Sequence, residues 1–327
     1  MKFLSTIWFW LKAARLHTLP MSLMSWLVVF LVALKHGGNI FYGVLALFGV
    51  MSAHLGVNLI DDYFDYKREV GTIKSSDEKK SIKMQKGKCA YLQEGKATIN
   101  QVLFVTVVYF AIASLIGLFL LINCGWQILL IAAAAAIFCL LYPFLTYCGL
   151  SEFAVGMTFA PLLFAGVSFV MLGYFSHSIL LLSLSTGLLT VGLLHTHAIM
   201  DYDFDVKDNK KTLAILSGSK KNAVILLGLM MAVAYINIAL GVAFNIFPPI
   251  YLITLITLPL PIALYKLMNL GITNPEIVPV RKFWMGPMEN WETIIKNNAQ
   301  SFMLKFYISR NIMVFFTLML CIGILVG

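Results

Sequence analysis

The sequence predicts an all-α fold, a polytopic membrane helical bundle of about nine transmembrane helices. Three observations predict it. Hydrophobic residues fill 60% of the 327 positions and charged residues only 12%, with a mean hydropathy of +0.87, which excludes a soluble chain of one or two ordinary domains. Crossing the hydrocarbon core takes about 20 apolar residues, and nine segments qualify. The basic residues gather in every second connection, as cytoplasmic loops do.

Taken in order, Phe3, Leu4, Ile7, Trp8 and Leu11 stand at helical spacing between Lys2 and Lys12, so the chain begins with a helix lying in the membrane interface. Lys12 and Arg15 break this run, and no small-residue cleavage site follows, so a cleavable signal peptide is not expected. Next comes Ala14-Arg15-Leu16-His17-Thr18-Leu19-Pro20. Arg15 either fixes topology or reaches into a cavity to bind substrate. The expected spans are Leu19–Leu34, Ile40–Ile60, Val102–Ile122, Trp126–Tyr147, Phe153–Phe175, Ser178–Met200, Ala223–Phe244, Ile246–Tyr265 and Phe306–Val326. The first is short, and the eighth contains Pro248, Pro249, Pro259 and Pro261.

With the N-terminus inside, the second-to-third connection carries Lys67, Arg68, Lys74, Lys79, Lys80, Lys83, Lys86, Lys88 and Lys96. The sixth-to-seventh and eighth-to-ninth connections are also basic, whereas the opposite turns hold only Lys35. The formal net charge of +9 is thereby explained by topology, anionic lipid and a phosphorylated substrate rather than by nucleic acid. The five cysteines are scattered and odd in number, so neither a disulfide scaffold nor a cysteine metal site is expected.

Two segments concentrate the chemistry. Asp61-Asp62-Tyr63-Phe64-Asp65-Tyr66-Lys67 closes the second span, and Asp201-Tyr202-Asp203-Phe204-Asp205-Val206-Lys207 closes the sixth. The copies agree at the first Asp, the Phe, the later Asp and the Lys, a likeness beyond the shared charge of two solvated acidic patches. If each helix continues into its motif, Asp61 and Asp65 share one face, as do Asp201 and Asp205. Like charges so placed suit a divalent cation, and oxygen ligands of this kind suit Mg²⁺ completed by water and substrate phosphate. The inferred site is two acidic helix ends facing each other across a diphosphate.

Cations adjoin both motifs, with Lys67 after the first and Lys207 and Lys211 after the second, as a diphosphate held by metal on one side and lysines on the other would need. His54 and Asn58 lead into the first motif along one helix face, which must look into the bundle. Asn58 is a substrate-binding candidate. So is Tyr142, where the fourth span runs out at Leu141-Tyr142-Pro143-Phe144. His54, His195 and His197 read as hydrogen-bonded structural residues rather than bases, and Glu152 as interfacial. The connection of about 267–305 is long for a loop, and a cytoplasmic flap or short surface helix is expected there.

The paired motifs resemble those of the UbiA superfamily of intramembrane aromatic prenyltransferases, Asn-Asp-x-x-Asp-x-x-x-Asp and Asp-x-x-x-Asp. Here the first reads Asp61-Asp62-x-x-Asp65-x-x-x-Glu69, with Asp61 and Glu69 in place of Asn and Asp, and the second Asp201-x-x-x-Asp205. The segments Ala14–Pro20 and Leu92-Gln93-Glu94-Gly95 are similar to the 1,4-dihydroxy-2-naphthoate prenyltransferases of menaquinone synthesis.

The resemblance implies one domain over 1–327, with two four-helix halves around a central cavity and cytoplasmic cap loops. Pseudo-repeats would cover about 14–147 and 151–266, followed by the loop of about 267–305 and a last helix over 306–326. It implies Mg²⁺ held by the catalytic Asp61, Asp65, Asp201 and Asp205 with help from Asp62 and Glu69, a polyprenyl diphosphate donor and an aromatic acceptor. It also implies an integral protein of the plasma or inner membrane, with N-terminus and active-site loops cytoplasmic. Other acceptors such as 4-hydroxybenzoate occur in the superfamily. A cation-coupled transporter is the alternative of another class, since transporters also carry internal repeats and intramembrane ionisable residues.

Overall fold

Helices follow the apolar runs from end to end. The structure, a computed structural model, describes residues 2–72 and 89–327, and for Lys2, Phe3 and 69–72 the backbone alone. The basic loop positions from Lys74 to Lys88 lie outside the described residues.

Helix α1 (Lys2–Ala13) leads through a 3₁₀ turn (Leu16–Thr18) into α2 (Pro20–Lys35) and α3 (Ile40–Thr72). A short α4 (Ala90–Gln93) precedes α5 (Ile99–Cys124) and α6 (Gln127–Leu145). Then come α7 (Ser151–Met157), a π-helical turn (Thr158–Leu162) around Pro161, and α8 (Leu163–Leu172). Helix α9 (His177–Met200) gives way to α10 (Tyr202–Lys207), α11 (Leu213–Leu216) and α12 (Lys220–Ala243). The chain ends with a 3₁₀ stretch (Pro249–Thr257), α13 (Pro259–Thr273), a 3₁₀ turn (Phe283–Met285), α14 (Trp291–Lys296) and α15 (Gln300–Val326).

Nine segments among the described residues are long and apolar enough to cross a membrane, and they match the expected spans. Several reach further than expected; the second runs to Arg68 and the last begins at Gln300. The proline-rich eighth span resolves into two regimes. Residues Pro249–Thr257 wind as a 3₁₀ helix, in which the Thr254 and Thr257 hydroxyls donate to the carbonyls three residues back. Pro259 then opens α13, where a missing N–H costs nothing.

The described chain packs as two compact units. One contains Met1–Leu23 and Ile40–Phe144, the other Met24–Asn39 and Leu145–Gly327. Met24–Asn39 thus packs with the later residues rather than with the segments that flank it in sequence. The Asn39 N–H donates to the Met171 carbonyl at 2.9 Å.

In the first unit α3 and α5 pack lengthwise. Beneath the first acidic motif, Ala14, Leu19, Leu55, Leu59, Cys89, Leu92 and Val102 form a buried cluster that Trp10, Leu11 and Tyr91 extend. Much of the apolar surface of α5 and α6 stays exposed, as lipid-facing helices require. In the second unit α9 is the axis, packed by α7, α12 and α15. Gly187 lets the π-helical turn approach α9 closely, since a Cβ there would stand 2.5 Å from that of Ala160.

The long connection before the last helix is fastened to it, and it includes the short surface helix expected, α14. The Asn311 amide donates to the Met285 and Pro287 carbonyls, Arg310 reaches the Pro287 carbonyl and the Glu289 carboxylate, and the Tyr307 hydroxyl donates to the Glu289 carbonyl.

Candidate active site

Helix α3 runs unbroken through the first motif, so Asp61 and Asp65 lie one turn apart on one face while Asp62 points about 100° away. Asp61 and Asp62 are buried at 6% and 2% exposure, and Asp65 is half-buried. Two buried carboxylates in sequence demand compensation, and Arg15 supplies it. Its Nη2 donates to Asp62 Oδ1, and its Nη1 lies 3.6 Å from Asp61 Oδ2. The Tyr91 hydroxyl donates to Asp62 Oδ2 at 3.2 Å, and the Cys89 thiol to the Asp62 carbonyl at 3.5 Å.

Arg15 is held in place by its backbone. It adopts left-handed φ and ψ of 60° and 52° between α1 and the 3₁₀ turn, a conformation costing a non-glycine residue about 1–2 kcal/mol. The turn is stapled to α3 at several points. Asn58 donates to the Ala14 carbonyl at 2.9 Å and the Thr18 hydroxyl at 3.1 Å, Thr18 donates to the Arg15 carbonyl, and His54 bonds Thr18 and Ser22. Tyr91 is fixed from its other side by edge-on packing against Phe9 and Trp10.

Electrostatics follow the geometry. Burial alone lowers the affinity of the Arg15 guanidinium for its proton, but Asp62 and Asp61 outweigh it and the pKa is raised. Burial, reinforced by Asp62, raises that of Tyr91.

The second motif is built differently. Helix α9 ends at Met200, and Asp201, at φ −94° and ψ 6°, forms a joint whose carbonyl accepts from the N–H groups of Phe204 and Asp205. Asp201 and Asp205 are thus still one turn apart, but on a short helix that starts anew. Asp205 is buried, with Lys210 Nζ 4.0 Å from its Oδ1, and Asp203 pairs with Lys220.

The loop after the second motif is anchored from the α6–α7 side. The Lys211 N–H donates to the Thr146 carbonyl, and the Leu213 N–H to Glu152 Oε1 at 3.0 Å. Glu152 Oε2 accepts from the Ser151 hydroxyl. Thr212 caps α11 by accepting the Ile215 N–H. Glu152 is buried at 3% exposure rather than interfacial, because it satisfies this otherwise orphaned amide.

The structure therefore sorts the residues expected from the sequence. Arg15, Asp61 and Asp62 come together, and Tyr142 stands within electrostatic reach of Arg15. Asn58 spends its amide donors on the Arg15 turn. Lys67, exposed, lies over the Tyr63 ring, 4.7 Å from its centroid. Lys207 and Lys211 are exposed, and the lysine beside Asp205 is Lys210. The side chain of Glu69 lies outside the described residues. Tyr91 and Glu152, which sequence reasoning did not assign to the site, lie next to partners distant in sequence, with no local signal to announce them. Asp62 could have been separated from Asp61 and Asp65 by helical periodicity alone.

Among the described residues no three His, Cys, Asp or Glu side chains gather closely enough to hold a metal ion. The donor set still fits Mg²⁺. It consists of carboxylate oxygens in pairs one helical turn apart, and Mg²⁺ binds through one or two carboxylates together with water and substrate phosphate rather than in an all-protein cage.

Comparison with known proteins places this chain in a family. The family model described as "UbiA prenyltransferase family" matches residues 22–275. The chain is 25% identical over 224 residues to a 1,4-dihydroxy-2-naphthoate octaprenyltransferase of Bacillus subtilis (strain 168), an alignment covering 67% of this chain and 68% of the relative. Among solved structures, one described for digeranylgeranylglyceryl phosphate synthase superposes with a TM-score of 0.63 at 21% identity, over 100% of both chains. A UbiA homologue from Archaeoglobus fulgidus, bound to GPP and Mg²⁺, gives 0.55 at 16% identity over 95% of this chain and 99% of that one. These likenesses carry the fold, and the family match removes the cation-coupled transporter alternative. With acidic motifs ending two spanning helices, the chain belongs to the UbiA prenyltransferase family and is an integral membrane prenyltransferase.

Proposed function

We propose that the protein transfers the polyprenyl group of a polyprenyl diphosphate to 1,4-dihydroxy-2-naphthoate, the acceptor of menaquinone biosynthesis. The observation that carries the chemistry is the Arg15–Asp61–Asp62–Tyr91 cluster, with both carboxylates buried, at the end of a spanning helix. The choice of acceptor rests on the Bacillus subtilis relative and on the Ala14–Pro20 segment. The basic connections support a cytoplasmic N-terminus and cytoplasmic acidic motifs in the plasma or inner membrane.

Asp61, Asp65, Asp201 and Asp205 would hold Mg²⁺, with Glu69 as a further oxygen donor. Bound there, Mg²⁺ would neutralise charge building on the diphosphate as the allylic C–O bond breaks. Lys67, Lys207, Lys210 and Lys211 bind the diphosphate oxygens that take up the bonding electron pair. Arg15 is shared between Asp61 and Asp62, so it orients the first motif and stands ready to meet the donor's charge. Asp62, occupied by Arg15 and Tyr91, acts as an anchor rather than a metal ligand. The acceptor's ring carbon forms the new bond to the prenyl carbon, and for the dihydroxynaphthoate its carboxylate is lost in the replacement. The prenyl tail stays in lipid, since each CH₂ kept from water is worth about 0.8 kcal/mol.

Purified protein in lipid, given Mg²⁺ and a polyprenyl diphosphate, should prenylate 1,4-dihydroxy-2-naphthoate and lose that activity with EDTA. Product from 4-hydroxybenzoate alone would keep prenyl transfer and overturn the acceptor. Turnover undiminished by chelation would overturn the metal site.

A further inference from the structure

Helices α12 and α13 do not close against each other along their whole length. Between them runs a groove of about 400 Å³, lined by Ile225, Leu229, Ala232, Leu258, Pro261 and Ile262, with Lys266 at one end. That volume falls within the about 300–1,000 Å³ of small-molecule sites. Gly228 shapes the groove, because a Cβ there would stand 2.9 Å from the Tyr265 ring that rests on it.

Charge is confined to one end. Lys221 stands one turn before Ile225, so it prolongs the stripe Ile225–Gly228–Leu229–Ala232. Helix α12 begins near the end at which α13 finishes, because the two are consecutive, packed spans. Lys221 and Lys266 therefore meet the apolar slot from the same side, both exposed. The remaining lining, from Ile225 to Tyr235, covers ten residues, or about 15 Å of helix, and Ile225, Leu229 and Ile262 are open to the lipid.

An apolar slot open to hydrocarbon with two cations at one rim matches a single amphiphile with an anionic head. We infer that α12 and α13 bind one anionic phospholipid, its acyl chain along the groove and its head-group phosphate between Lys221 and Lys266. A basic pocket between spanning helices recognises such heads through charge. None of these residues belongs to the acidic motifs, so the lipid is a separate ligand from the prenyl donor.

The test is native mass spectrometry of the full chain in detergent, exchanged into mixtures of phosphatidylglycerol and phosphatidylcholine. The expected result is one retained phosphatidylglycerol per chain. Replacing both lysines (K221Q/K266Q) should abolish the preference, about fivefold for each. Ala232 is exposed, so Ala232→Phe fills the slot without entering the core, and it should expel the lipid while prenyl transfer persists. Equal retention of both lipids, or retention unchanged in A232F, overturns the proposal. A dimer dispersed by A232F would overturn it in favour of a second copy of the chain. Displacement of bound lipid by polyprenyl diphosphate would overturn it in favour of the substrate's tail.

Discussion

Arg15 is the residue on which the first half of the site turns, and its worth can be separated from its role. Replacing it by Gln leaves Asp62 buried without its counter-charge, a loss of about 3–5 kcal/mol for a broken buried pair. In the double variant R15Q/D62N the Asp62 charge goes with its partner while Asp61 still lacks Arg15, and a coupling energy of about 0.5–3 kcal/mol is expected from a double-mutant cycle read by unfolding in detergent. Additive effects would show that the pair does not hold the turn. If Arg15 also meets the diphosphate, the double variant regains part of the lost stability while its KM for the donor stays high.

Tyr91 adds a pH signature at the same place. Burial and Asp62 raise its pKa above the ordinary 10.0, so the folded state keeps the proton that the unfolded chain releases. This stabilisation is fully present below pH 10 and falls away as pH rises beyond it. Tyr91→Phe, though less stable at neutral pH for want of the hydrogen bond, should lose less stability between about pH 10 and 11 than the parent. An identical alkaline slope in the two proteins would assign the titration elsewhere.

At the scale of elements, the loop after the second motif depends on one distant carboxylate. Glu152 accepts the Leu213 N–H at the start of α11, and with the Lys211–Thr146 bond it fixes the path of the lysine-bearing segment. Deleting a charged acceptor for a buried amide costs about 1–3 kcal/mol. Glu152→Ala should therefore raise KM for the prenyl diphosphate about tenfold, with kcat changed less, and speed hydrogen exchange at Leu213. Glu152→Gln keeps an acceptor and should restore most of both. Equal loss in the two variants would point to the charge rather than the hydrogen bond.

Elements were also the most legible level in the sequence. Apolar runs gave the spans, because each helix must satisfy its own backbone in lipid. Their ends extended beyond the runs because polar residues such as Gln300, Ser301 and Lys305 continue the α15 helix outside the apolar window. Nothing local marked the joint at Asp201, since Asp-x-x-x-Asp fits a continuous helix equally well. Nor could the sequence show Glu152 or the fastening of Met285–Glu289 to Arg310 and Asn311, which bring together partners far apart along the chain.

At the scale of the whole molecule, the two acidic motifs fall in different compact units, one ending α3 and the other straddling the end of α9. The duplication was plain in the sequence, whereas the assignment of Met24–Asn39 to the later unit was not, because it depends on contacts such as Asn39 to Met171. Whether both motifs serve one turnover is a question of coupling. Asp65→Asn and Asp201→Asn should each lower kcat by at least about a hundredfold while the protein stays folded. Residues that act as a unit are grossly non-additive, so D65N/D201N should be little worse than either single variant. Losses that multiply would mean that the motifs contribute independently, and the shared diphosphate site would then have to be given up even if prenyl transfer stands.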